Sequence, residues 1–145
     1  MSNTLTPALL NYLERIATIL REKRVARVRD IAAMCNVKVP SACSAMGRLS
    51  KLGYIHYETG EYITLTKSGR LATKCFDEKK RTIERFLYDV LCMEADLAGI
   101  EAHSLALYIS DPVYRSIQMC LNGENVTIFH DPSLDLARES ESQRN

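Results

Sequence analysis

No stretch of the chain approaches the ~20 consecutive apolar residues that a bilayer-crossing helix needs. Met1-Ser2-Asn3-Thr4 lacks the basic region followed by an apolar one that marks a secretory leader. Both absences point to a cytoplasmic protein with no membrane partner. The five cysteines, Cys35, Cys43, Cys75, Cys92 and Cys120, include no Cys-x-x-Cys pair. An odd, scattered set argues against a disulfide framework or a structural zinc site and predicts reduced, mostly buried thiols. There are no internal repeats, no phosphate-cradling glycine loop and no evident nucleophile–base pair, so an enzyme reading has no support.

The 145 residues suffice for one ordinary domain or two small ones sharing a core, with 46% hydrophobic and 26% charged residues. The formal charge of +1 hides a strong asymmetry. Residues 1–75 hold 12 Lys/Arg against 5 Asp/Glu, and residues 76–145 hold 7 against 13. A basic first half suits a phosphate-facing surface, and an acidic second half does not.

That basic half contains the outline of a winged helix-turn-helix. Arg29-Asp30 opens a helix, Ile31 to Cys35, and Asn36 suits the turn because Asn tolerates a left-handed backbone. A second helix opens at Val39-Pro40-Ser41 and runs to Lys51-Leu52-Gly53. Its expected buried stripe is Val39, Ala42, Met46, Leu49 and Leu52. Ser41, Ser44, Arg48 and Lys51 fall on the other side, and Lys38 precedes the positive end of the helix dipole. Short polar side chains interleaved with Arg and Lys let a helix approach phosphates and base edges closely. A ribbon follows: Tyr54 to Tyr57, a turn at Glu58-Thr59-Gly60-Glu61, and Tyr62 to Leu65. Double-stranded DNA is the partner this pattern predicts, with Lys38, Ser41, Ser44, Arg48 and Lys51 on bases and phosphates and His56 and Thr59 on the backbone.

Helical periodicity continues on either side. Thr6-Pro7 caps a first helix with Leu9, Leu13, Ile16, Ala17 and Leu20 on one face, ending near Glu22. Thr66-Lys67-Ser68-Gly69 starts a long helix whose expected apolar side is Leu71, Cys75, Phe76, Ile83, Phe86, Leu87, Val90 and Leu91. Another helix opens near Asp96, with Leu97, Ile100, Leu105 and Ile109 as its apolar residues. Ser110-Asp111-Pro112 then stops it and caps a last one, which ends at Asn122-Gly123. The fold class is therefore mainly α. A winged helix-turn-helix over residues 1–72 leads through the long helix into a helical dimerisation region over 73–123, with a polar, partly disordered tail over 124–145.

Several segments together resemble the diphtheria-toxin-repressor and manganese-transport-regulator family of homodimeric, metal-responsive repressors. They are Tyr12-Leu13-Glu14-Arg15-Ile16, Ala26-Arg27-Val28-Arg29-Asp30-Ile31-Ala32 and Leu65-Thr66-Lys67-Ser68-Gly69. Glu84-Arg85-Phe86-Leu87, Glu101-Ala102-His103 and Tyr108-Ile109-Ser110-Asp111 complete the set. Coverage is about residues 8–122, and the length resembles the two-domain manganese branch. The resemblance implies a palindromic operator and a Mn or Fe site built from carboxylates and imidazoles on three helices. On this chain those ligand positions fall on Asn11, Glu14, Lys80, His103 and Ala106-Leu107. Only Glu14 and His103 remain as residual ligand candidates. Asn11, Lys80, Ala106 and Leu107 are degenerate positions, so the metal switch is expected to be largely lost. The Lys80 ammonium is expected to stand in for the cation and pair with Glu14. Cys43, Cys75, Cys92 and Cys120 are candidate sensor thiols for an alternative redox- or cofactor-responsive regulator. A winged-helix protein-interaction module is the other alternative.

Overall fold

The computed structural model describes residues 4–58, 60 and 62–124. The chain divides into two units, Met1–Ile109 and Ser110–Asn145. Thr59 and residues 125–145, including most of the expected tail, lie outside the described residues.

The first unit opens with α1 (Pro7–Glu22). The Thr6 side chain accepts from the Leu9 amide at 3.3 Å, and Pro7, which has no amide proton to leave unpaired, starts the helix. α2 (Val28–Met34) starts one residue before its Arg29-Asp30 signal. It ends where Asn36 takes φ 52° and the Val37 amide reaches back to the Ala32 carbonyl at 3.0 Å, the left-handed termination expected of Asn. α3 (Val39–Lys51) ends at Gly53, which holds φ 79°.

The wing is shorter than the tyrosine-rich pattern implies: β1 (Ile55–His56) and β2 (Thr64–Leu65) pair antiparallel, Ile55 opposite Leu65 and His56 opposite Thr64. A further bridge joins Ala26 to Ile63, so the segment before α2 extends the ribbon. Leu9, Leu13, Ile16, Ile31, Met46, Leu49, Ile55 and Ile63 fill the core beneath the motif. Burying each such side chain contributes about 1.5–3 kcal/mol. Val39 departs from the expected stripe. It is 48% exposed at the first turn of α3, and Ala45 is buried with Ala42 instead.

α4 (Lys67–Asp89) is 23 residues long, about 34 Å. It is knotted to the wing at its start. Thr66 donates its hydroxyl to the Gly53 carbonyl at 2.6 Å, accepts from the Gly69 amide at 3.1 Å, and its own amide reaches the Tyr54 carbonyl at 3.0 Å. Gly69 packs against the Tyr54 carbonyl so closely that no Cβ would fit. The buried seam of α4 is Gly69, Thr73, Phe76, Ile83 and Leu87, a spacing of four and three with one gap, which Lys80 occupies. Leu71, Cys75, Val90 and Leu91, expected on the apolar side, are exposed.

α5 (Ala95–Tyr108) is capped by the Glu94 carboxylate, which accepts from the Leu97 amide at 3.1 Å. It packs on α4 through Ala98, Ala102 and Ala106, while Leu97, Ile100 and Leu105 are exposed. Small residues let two helices approach closely, and that proximity outweighs the size of the individual apolar side chains. In the second unit, α6 (Asp111–Leu121) begins after Ser110, whose hydroxyl makes no capping bond, and ends at Gly123 with φ 73°. No helix among the described residues is long and apolar enough to cross a membrane.

Candidate nucleic-acid interface and the three-helix junction behind it

α3 buries Ala42, Ala45, Met46 and Leu49, which fixes its rotation and leaves Ser41, Ser44, Arg48 and Lys51 exposed on one outward face. Lys38 holds the N-cap position with extended backbone and no side-chain cap, so the positive end of the helix stays open beside an ammonium. His56 is exposed on β1, and Cys43 is half-buried on α3. One basic residue near the wing was missed by sequence reasoning. Arg27 donates from Nη2 to the Tyr62 hydroxyl at 2.8 Å and lies 4.9 Å from the centre of that ring. The alternation of exposed Tyr62, buried Ile63 and exposed Thr64 is the signal that could have placed Tyr62 outward.

Behind this face, α1 is tied to α4 and α5. Asn11 Oδ1 and His103 Nε2 lie 3.1 Å apart, and the His103 ring meets Phe76 edge-on at 5.4 Å. Burial, then the Arg15 charge, push the His103 pKa below 6.5; Glu14 opposes this and Lys80 adds to it. Glu14 is 5% exposed. Its Oε1 accepts from the Thr18 hydroxyl at 3.0 Å and sits 3.5 Å from Arg21 Nη2, while its buried Oε2 has no hydrogen-bond partner. Arg21 also donates from Nη2 to Thr18 at 3.0 Å and from Nη1 to Asp77 Oδ2 of α4 at 3.0 Å.

The expected pairing of Lys80 with Glu14 is therefore corrected. The cation on Glu14 is Arg21, about two turns along the same helix and long enough to span to α4. Lys80 instead lines an open-sided cavity of about 550 Å³ with Arg15, Glu84, Asp96 and His103. Ala106 is buried and Leu107 half-buried on α5. Among the described residues, no three His, Cys, Asp or Glu side chains converge.

The five thiols are free and less buried than expected. Cys75 and Cys92 are exposed, and Cys35, Cys43 and Cys120 are half-buried. Cys75 sits on the outward side of α4, and Cys92 holds φ 54° just after it. Burial pushes the Cys35 thiol pKa up; nearby Arg15 opposes that and Glu14 adds to it.

The family described as "Iron dependent repressor, N-terminal DNA binding domain" matches residues 4–61. The chain is 34% identical over 111 residues to an HTH-type transcriptional regulator of Methanocaldococcus jannaschii, covering 75% of this chain and 88% of that one. It is 32% identical over 102 residues to the HTH-type transcriptional regulator MntR of Bacillus subtilis, covering 68% and 72%. Among solved structures, a manganese-dependent transcriptional repressor in complex with manganese superposes with TM-score 0.69 at 25% identity, over 79% of this chain and 52% of that one. A hypothetical protein of Sulfolobus solfataricus superposes with TM-score 0.63 at 16% identity, over 81% and 89%. The manganese regulator SloR gives TM-score 0.65 at 24% identity, over 79% of this chain and 53% of that one, so this chain spans about half the length of the two manganese regulators.

Proposed function

The chain belongs to the diphtheria-toxin-repressor and manganese-transport-regulator family of DNA-binding transcriptional regulators, and from that premise we propose that it is a homodimeric repressor whose DNA binding does not depend on Mn or Fe. The observation that carries the reading is the α3 face. Ser41, Ser44, Arg48 and Lys51 project from a helix whose opposite side is locked into the core, with Lys38 at its positive end. Such a face can lie in the major groove, short side chains at base edges and long basic ones at phosphates. His56 and Arg27 then reach the flanking backbone.

Residues 1–72 act in this reading as the reading head and residues 73–123 as the pairing region. Tyr88, Leu91, Leu97, Leu105 and Tyr108 are large apolar side chains left exposed at the end of α4 and along α5. A second copy covering them would set two reading heads about one helical turn of DNA, or a multiple, apart. The operator would then be palindromic.

The donor set supports independence from metal. A divalent cation of this class wants several oxygen and nitrogen donors. Here Asn11 is occupied with His103, one oxygen of Glu14 with Arg21 and Thr18, and the neighbouring side chains Arg15 and Lys80 are cations. These residues do not fit a bound Mn or Fe ion. Arg21 instead supplies a covalently attached cation bridging α1 to α4.

The test is a gel shift with genomic fragments at graded salt, with Mn and with chelator. A preferred sequence, and affinity falling by about a thousandfold or more between roughly 50 and 200 mM salt, support the regulator. Equal affinity with Mn and chelator supports independence from metal. Weak, unselective binding would favour a protein-interaction module.

A further inference from the structure

Four charged side chains around the cavity between α4 and α5 have no salt-bridge partner among the described residues. Arg15, Lys80, Glu84 and Asp96 line it, and none of them takes part in the ion pairs of Arg21 with Glu14 and Asp77, Lys74 with Glu78, or Arg85 with Asp89. Lys80 is the more telling of the two cations, because it occupies the gap in the buried seam of α4, between Phe76 and Ile83. The lysine puts an ammonium where the pattern of the seam calls for an apolar side chain.

The charges are sorted rather than mixed. α4 and α5 pack side by side, and Glu84 faces Gly99, whose absent Cβ would stand 3.6 Å from its Oε1. With Glu84 beside Gly99 and Asp96 in the first turn of α5, the carboxylates share one end. Lys80, one turn back along α4, gathers with Arg15 near His103 at the other. Both cations depress the His103 pKa, which places them within electrostatic reach of it. One helical turn is about 5.4 Å, so Lys80 and Glu84 start from successive turns on one side of α4. Gly99 leaves the floor open, and Ile100 offers an apolar wall. At about 550 Å³ the volume is that of a small-ligand pocket.

We propose that this cavity is a binding site for a small zwitterion, a free α-amino acid, with its carboxylate on Arg15 and Lys80 and its ammonium on Glu84 and Asp96. Such a ligand pairs four charges that the protein leaves unpaired, and it joins α1 to α4 and α5. A role for it in controlling DNA binding rests on the regulator reading above; the binding itself does not.

The experiment is thermal denaturation of the full chain with each proteinogenic amino acid at about 10 mM, where a ligand at one hundred times its dissociation constant adds about 2.7 kcal/mol. Titration calorimetry of any that shift the midpoint gives the affinity. At least one amino acid should stabilise the protein, while its α-amide and its deaminated acid should not. Lys80→Met and Glu84→Gln should each weaken binding at least about tenfold with unchanged far-ultraviolet dichroism. Three outcomes overturn the proposal: no amino acid binds, the deaminated acid or inorganic phosphate binds as well as the zwitterion, or binding survives both substitutions. Should titration succeed while no DNA fragment is retained in any condition, the regulator reading fails and the binding site stands.

Discussion

Arg21 of α1 and Asp77 of α4, far apart in sequence, meet at 3.0 Å between Nη1 and Oδ2, and the same guanidinium lies 3.5 Å from the buried Glu14. One cation thus serves two carboxylates on two helices. Arg21→Ala removes it and leaves Glu14 buried without a counter-charge. The expected loss is about 1–2 kcal/mol, smaller than for a fully buried pair because the Arg21 side chain is 56% exposed. Urea denaturation measures it. Glu14→Met in the same background should recover most of the loss, since an apolar side chain has no orphaned oxygen; no recovery would mean Arg21 acts through Asp77 alone.

Gly69 and Gly47 make a matched pair of opposite sign. A Cβ at Gly69 collides with the Tyr54 carbonyl, backbone that cannot step aside, whereas one at Gly47 meets nothing within 4 Å. Gly69→Ala should destabilise by about 1–3 kcal/mol. Gly47→Ala should stabilise by about 0.5–1 kcal/mol through helix propensity. Gly47 lies on α3 between Ser44 and Arg48, so the same substitution should weaken DNA binding if this face enters the groove. A variant that is more stable and binds DNA as tightly as the wild type would turn the helix away from the groove.

His103 gives the fold an acid limit. Its pKa in the folded chain lies below 6.5, first because it is buried and then because Arg15 is near. Between those two values the unfolded chain binds the proton and the folded one does not. Stability therefore rises with pH through this window. The contribution is complete above 6.5 and is lost as pH falls through the lowered value. Denaturation midpoints at pH 7.5 and 5.5 should differ for the wild type and differ less for His103→Gln.

The thiols should sort by exposure and charge. Cys75 and Cys92 are exposed, while Cys35 is half-buried with its pKa raised by burial. Brief alkylation of the native protein followed by mass mapping should modify Cys75 and Cys92 well before Cys35, because the thiolate is the reacting species. Early modification of Cys35 would show that its surroundings open readily.

Local chemistry made much of this legible in the sequence. The Thr6-Pro7 start of α1, the left-handed Asn36, the Gly53 end of α3 and the Thr66 cap of α4 all rest on one or two residues with strong conformational demands. What sequence reading misjudged were choices between faces. On α5 the leucines and isoleucine looked like the packing side, but Ala98, Ala102 and Ala106 are buried. With apolar residues on more than one face, periodicity cannot choose, and close approach to α4 decides. The junction failed for a different reason. Lys80 looked like the partner of Glu14, yet Arg21 has the reach and the geometry, and its link to Asp77 spans a separation no local pattern encodes.

The contact between Gly69 and Tyr54 gives α4 a fulcrum. The helix cannot slide there without moving the end of α3, because Thr66, Gly53 and Tyr54 are knotted around it. Lys80 sits eleven residues further along, a lever arm of about 16 Å. Displacing the helix by about 1 Å at that end tilts it by roughly 3–4° at the pivot, taking it as rigid over that length. A displacement of α4 near Lys80 is therefore geared, through the Gly69 contact, to the position of the end of α3.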